Sequence, residues 1–137
     1  RAHPDLRLDV ADRLAVVLAV LEQRQGMLLG NQDVYVNAVG GFRLNEPAAD
    51  LAVMLAVASS FRNCAVDRSL VALGEVGLTG EIRMVPRVVQ RAREAAGLGF
   101  QKIVVPAGNL PELAKEAVNI EVIGVKSLSQ AMEVGLQ

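Results

Sequence analysis

Across residues 10–24 the apolar side chains Val10, Leu14, Val17, Leu18 and Leu21 recur at helical spacing. With Asp9 ahead of them as a cap and Gly26 just past the end, the spacing predicts an amphipathic helix. Residues 33–39 (DVYVNAV) alternate instead, with β-branched residues on both faces and Gly40-Gly41 as punctuation, and read as a strand with a short hairpin partner over 42–44. Asn45-Glu46-Pro47 has the chemistry of a helix start: a capping-type residue, an acid near the positive end of the macrodipole, and a proline whose missing N–H costs nothing in the first turn. The helix that follows, over 48–61, is apolar nearly all round, which places it at the centre of the protein.

Two further strands are expected over 70–76 (LVALGEV) and 81–84, joined by the turn Gly77-Leu78-Thr79-Gly80. Pro86 opens a third helix with Val88, Val89, Ala92 and Ala96 as its apolar stripe, Arg87, Arg91 and Glu94 facing elsewhere, and Gly97 and Gly99 at its end. A buried strand over 102–106 (KIVVP), a capped short helix over 109–117, a strand over 120–124 and a last helix to about Val134 complete the chain. Ser127 to Gln130 has the spacing of a capping box for that last helix. Alternation of strand and helix after residue 81 implies parallel pairing, and the earlier hairpins imply antiparallel pairing. The fold class is therefore mixed α/β, a sheet with helices packed on it, in a single domain over 1–137 without repeat or linker.

Composition narrows the function classes. At 137 residues, 52% hydrophobic and with a net charge of -1, the chain is neither a disordered tail nor a polybasic arm, so any nucleic-acid contact must come from a local patch. Aromatics make up 3% with no Trp, which leaves the core to Val, Leu, Ile and Ala and argues against base-stacking platforms. One Cys and one His are too few for a zinc site, and the single cysteine excludes an internal disulfide. His3 reads as a solvated residue near the start, and Cys64 as an inert packed thiol near a helix end, since no His lies nearby in sequence to activate it. No apolar run is long enough to span a bilayer and no leader pattern is present, so a cytoplasmic location without membrane contact is expected. The chain begins with Arg1, which suggests a piece of a longer protein.

Gly74, Gly77 and Gly80 are spaced glycines without the lysine and hydroxyl of a phosphate loop, and they fall between two strands. A turn is the better account of them, and no ATP hydrolysis is expected from this chain. Arg83, Arg87, Arg91 and Arg93 fall within one strand-to-helix unit. They are candidate contacts for phosphate oxygens, with a solvated helix face and a subunit interface as the alternatives.

The segments GGFRLNEPAADLAV (40–53) and GEVGLTGEIRMVP (74–86), followed by KIVVP, resemble the proteolytic domain of the Lon family. There a glycine-rich strand end leads into a helix bearing G-P-S-A-G, and a G-E-[IV]-x-L-x-G-x-[IV] hairpin leads into the helix that carries the catalytic lysine. The match is closer still to the Lon-like domain that closes the RadA (Sms) family of bacterial DNA-repair ATPases, from RLAVVLAVLEQRQG through DVYVNAVGG to KIVVP, almost the whole chain. The resemblance implies a fold similar to the second domain of ribosomal protein S5. It also implies a preceding zinc-binding segment and RecA-like ATPase that would use ATP and Mg, a hexameric ring, DNA and RecA-type recombinases as partners, and work in recombination by branch migration.

A Lon-type reaction needs a serine nucleophile and a lysine base within hydrogen-bonding reach. The motif match puts Ala48 at the serine position and Val89 at the lysine position, so the resemblance implies a non-catalytic domain serving ring assembly and DNA binding. Ser59 and Ser60 follow Ala48 by 11 and 12 residues, a displacement of roughly 16 to 18 Å along a helix, too far to substitute for it. Glu46 and Asp50 read as first-turn acids that complement the helix start. Two alternatives stay open: a Lon-type hydrolase with an unrecognised nucleophile, and a plain nucleic-acid-binding module on the same broad fold.

Overall fold

A computed structural model describes residues 47–67 and 69–136. The expected first helix, the strand over 33–39, its hairpin partner, His3, Asn45 and Glu46 lie outside the described residues. A 3-10 turn over Pro47–Ala49 leads into α1 (Asp50–Arg62), followed by β1 (Leu70–Ala72), β2 (Glu75–Val76), β3 (Ile82–Arg83) and α2 (Val88–Gly97). Then come β4 (Lys102–Pro106), a second 3-10 turn over Ala107–Asn109, α3 (Leu110–Ala114), β5 (Glu121–Val125) and α4 (Leu128–Gly135).

The mixed sheet is present in both its parts. Strands β1, β4 and β5 form a parallel sheet in the order β1-β4-β5, with Val71 opposite Ile103 and Val104 opposite Ile123, while β2 and β3 pair antiparallel. The period of two in β4 divides the core. Val104 faces a cluster built from Leu51, Met54, Leu55 and Ala58 of α1 with Leu128, Ala131 and Met132 of α4. Ile103 and Val105 face the other way, onto Val88, Ala92 and Ala95 of α2 and Leu113 of α3. Among the described residues two helices thus cover each face, as a parallel sheet requires. Helix α1 is central as expected, with Ala52 exposed and Ala56 and Ser59 half-buried along one side.

The expected single strand over 70–76 is broken in two. Leu73 still donates its N–H to Val104 O (2.9 Å), but the backbone of Gly74 turns to the start of α1, its N–H donating to Ala48 O and its carbonyl accepting from Leu51 N, both at 3.0 Å. A Cβ on Gly74 would stand 2.8 Å from Ile82 Cγ2, so the close approach of the β2–β3 hairpin requires glycine there. Helix α2 starts two residues later than Pro86 suggests, because Arg87 takes a left-handed conformation (φ 57°) in the turn before it. Its buried stripe is accordingly Val88, Arg91, Ala92 and Ala95, spaced i, i+3, i+4, i+7, with Val89 and Ala96 only half-buried. The expectation that Arg91 faces away from the core is corrected by this rotation. Gly99 (φ 96°) closes the helix as expected, with Phe100 N–H on Ala95 O and Gly99 N–H on Ala96 O, both 3.1 Å.

Two polar side chains take partners the sequence does not suggest. In the expected capping box, Ser127 Oγ accepts from Gln130 N (3.2 Å), but Gln130 Oε1 reaches back to Lys126 N (2.7 Å), one residue beyond the cap. Asn109, expected to cap its own helix, makes no such bond, and that helix stops at Ala114. Instead its fully buried amide pairs with the backbone of Val85 in both directions, Oδ1 accepting from Val85 N and Nδ2 donating to Val85 O, each at 3.0 Å. This staple fixes the approach to α2 against the end of β4. Asn109→Ala leaves a buried N–H and a buried C=O of Val85 unsatisfied and is expected to lower stability by about 2–4 kcal/mol in urea unfolding. Asn109→Asp, which keeps the acceptor but loses the donor, should also be destabilised.

Candidate functional site

The two positions that the Lon resemblance assigns to nucleophile and base both pack in one apolar cluster, and neither has a heteroatom to offer. Ala48 sits in the 3-10 turn that opens α1, 4% exposed, in one apolar cluster with Leu73, Val85, Val88, Ala92, Ile103, Val105 and Leu113. Val89, half-buried on the first turn of α2, packs against that same cluster. Neither a methyl nor an isopropyl group can attack a carbonyl or take up a proton.

Ser59 lies toward the other end of α1, where its Oγ donates to the carbonyl of Cys64 and so closes the helix end. The side chain of Ser60 is outside the described set. Cys64 is only half-buried beyond the left-handed Asn63 (φ 53°), its Sγ 3.5 Å from Arg62 O, so the expectation of a packed thiol is corrected: the turn after α1 carries it away from the core.

Asp50 does more than complement a helix start. It is the first residue of α1, 4% exposed, and its Oδ2 accepts the N–H of Val76 at 3.1 Å across to β2. Sequence reasoning missed that tie and the Asn109 staple for the same reason. A lone Asp after a helix-opening proline, or a lone Asn before a short helix, has local capping as its obvious use. The only sequence signal available is that Asp50 lies within one segment of the resemblance, 40–53, and Asn109 just after another, KIVVP.

The β2–β3 hairpin carries a second carboxylate. Glu81 accepts from the Thr79 hydroxyl, from Thr79 N (3.2 Å) and from Arg83 Nε and Nη2 (3.3 and 3.0 Å). The Thr79 hydroxyl first, then a backbone N–H and the Arg83 guanidinium, hold its carboxyl down to about 2. At the opposite corner Asp67 accepts from Ser69 Oγ (2.7 Å), Ser69 N (2.9 Å) and Lys102 Nζ (3.1 Å). The two Ser69 bonds, with Lys102 behind them, bring its carboxyl to about 2 as well.

The four arginines occupy different environments. Arg83 is bound to Glu81 (3.0 Å) and lies 4.0 Å from Glu75, and Arg93 is bound to Glu116 (3.0 Å), with both side chains still more than half exposed. Arg91 is buried, its stem within the stripe of α2 that faces the sheet. Arg87 is exposed ahead of α2 and has no ion pair among the described residues. Among the described residues no three His, Cys, Asp or Glu side chains gather as a metal cage would require, and no helix is long and apolar enough to cross a membrane.

A parallel sheet covered by helices on both faces, with a hairpin locked to the helix start beside it, defines a Lon-like domain. The family described as subunit ChlI of Mg-chelatase matches residues 10–109, and the chain belongs to that family. Its relatives are DNA repair proteins named RadA. The protein of Halalkalibacterium halodurans is 50% identical over 125 residues, that of Bacillus subtilis 47% over 125, and that of Escherichia coli 49% over 123. These matches cover 90 to 91% of this chain and 26 to 27% of the relatives, so the chain spans about a quarter of the length of the curated relatives it matches. The resemblance to the Lon-like domain of RadA holds across nearly the whole sequence.

Both carboxyl groups have folded values of about 2, below their ordinary values of 3.8 for Asp67 and 4.5 for Glu81. Groups depressed in this way stabilise the fold fully above the ordinary value, and that contribution disappears as pH falls toward the folded one. Urea midpoints should therefore be level through neutral pH and drop between pH 4.5 and about 2. Asp67→Asn and Glu81→Gln should each start lower and show a shallower drop.

Proposed function

We propose that this chain is a non-catalytic, Lon-like module of a RadA-type DNA repair protein, serving ring assembly and DNA engagement while ATP-driven branch migration in recombination is carried out elsewhere in the whole protein. The observation that carries the non-catalytic reading is the burial of Ala48 and the packing of Val89 in one apolar cluster. Acyl transfer needs a nucleophile and a base in contact, and this arrangement offers neither. The repair role is supported by the RadA relatives. ATP, Mg and zinc would be bound by a preceding zinc segment and RecA-like ATPase, with a homohexameric ring and a RecA-type recombinase as partners.

For DNA the arginines are not equivalent. Arg87 is the most available of the four, Arg83 and Arg93 reach phosphate only by sharing or leaving their glutamates, and Arg91 is not available as it stands. Titration of fluorescent double-stranded DNA at low and physiological salt, beside the variant Arg83→Ala, Arg87→Ala, Arg93→Ala, tests the reading. Binding should weaken steeply with salt, and the variant should flatten that slope by up to about 3, roughly one unit per lost phosphate contact. If neither protein binds, DNA contact belongs to the assembled ring or the ATPase, and this chain is left with assembly alone.

The hydrolase alternative has its own check. A serine-directed fluorophosphonate probe is expected to leave the chain unlabelled, and labelling abolished by changing one residue would restore an enzymatic function.

A further inference from the structure

The sequence holds four methionines, and the described ones stand in unequal places. Met54 on α1 and Met132 on α4 are 1% and 4% exposed and belong to one buried cluster. Met84, between β3 and α2, is 61% exposed. A thioether reacts with a peroxide where the oxidant can reach its sulfur, so among the described methionines that chemistry falls on Met84.

Exposure does not leave this side chain without a place. It lies across the second 3-10 turn, with Cγ 2.6 Å and Sδ 3.1 Å from where a Cβ on Gly108 would stand, so only glycine lets it rest there. One position further along each segment, Val85 and Asn109 are joined by the amide pair, 3.0 Å in both directions. Met84 on Gly108 and Val85 with Asn109 are thus consecutive steps of one junction, the first apolar and exposed, the second polar and buried. The second step holds only while it stays dry, because water that reached it would compete for the same backbone groups.

We propose that Met84 is a site of reversible oxidation, and that its sulfoxide loosens the junction between the approach to α2 and the end of β4. The oxidant is hydrogen peroxide or another hydroperoxide. The sulfur attacks one peroxide oxygen, and the O–O bond breaks as the S–O bond forms. With hydrogen peroxide, the proton of the transferred hydroxyl then passes to the departing hydroxide, which leaves as water. Sulfur loses two electrons and the peroxide gains them. A flexible apolar side chain lying on the Gly108 backbone becomes a polar one that hydrates in preference to covering it, and water gains the Val85–Asn109 pair. The inference rests on neither ring assembly nor DNA binding.

The test treats the 137-residue chain with dilute hydrogen peroxide and maps the products by mass spectrometry of its peptides. The chain carries Met27→Leu, because Met27 lies outside the described residues. Met84 should gain one oxygen roughly tenfold faster than Met54 and Met132, which react only when the core opens. In the singly oxidised chain the Val85 amide should exchange with deuterated water about tenfold faster by nuclear magnetic resonance, and the urea midpoint should fall by about 0.5 M. Methionine sulfoxide reductases should reverse both changes, whereas their thiol reductant alone, which regenerates Cys64 but not Met84, should reverse neither. A Met84→Leu chain treated in the same way should show neither change. Oxidation of all three remaining methionines at one rate, or an oxidised Met84 with unchanged Val85 exchange, would overturn the inference. So would recovery under the thiol reductant alone, which would assign the effect to Cys64. If Met84→Leu lacks a cooperative urea transition, recovery under the reductases decides alone.

Discussion

The start of α1 is tied to the segment 74–76, and the other elements take their places from that junction. Three hydrogen bonds make it: Gly74 N–H to Ala48 O, Leu51 N–H to Gly74 O and Val76 N–H to Asp50 Oδ2. The first N–H groups of a helix have no partner within the helix, and here one of them is answered by a strand that has just left the parallel sheet. Because the junction is buried, each unmet group would cost the full loss of its hydration, so the path of the chain between the two sheets is narrowly fixed. The hairpin that follows is set beside α1, and its far side, through the Glu81–Ser127 bridge and Leu128 N on Gly80 O, sets where α4 begins.

That junction also explains why Ala48 and Val89 end in the same apolar cluster. The turn before α1 delivers Ala48 to the face of the sheet covered by α2, while the side chains of α1 itself cover the opposite face with α4. The place they share is apolar throughout. Here it is filled by alkyl groups, which need no partner and pack continuously with Leu73, Val85 and Ile103.

Charge in this domain is spent mostly on local order. Glu81 stitches the hairpin tip, Asp67 ties the loop after α1 to β4, and Arg93 spans from α2 to Glu116. Among the described residues these pairs leave the exposed Arg87 and Lys126 without an ion pair.

By itself the sequence determined the kinds of element and their order wherever hydrophobic period and turn residues were unambiguous. The all-round apolar helix, the KIVVP strand, the glycine-ended helix and the parallel-plus-antiparallel sheet were all legible. Period and spacing are local, so they carry no record of contacts between distant residues. Only the tertiary structure decided that the segment 70–76 breaks at Gly74, since the break answers a helix more than twenty residues earlier in the chain. Only it rotated α2 through the left-handed Arg87, turning Arg91 inward and Val89 partly outward. It likewise decided that Asp50 and Asn109 bond across the fold, because a buried backbone group far away in sequence competed for the same side-chain atoms and had no water to turn to.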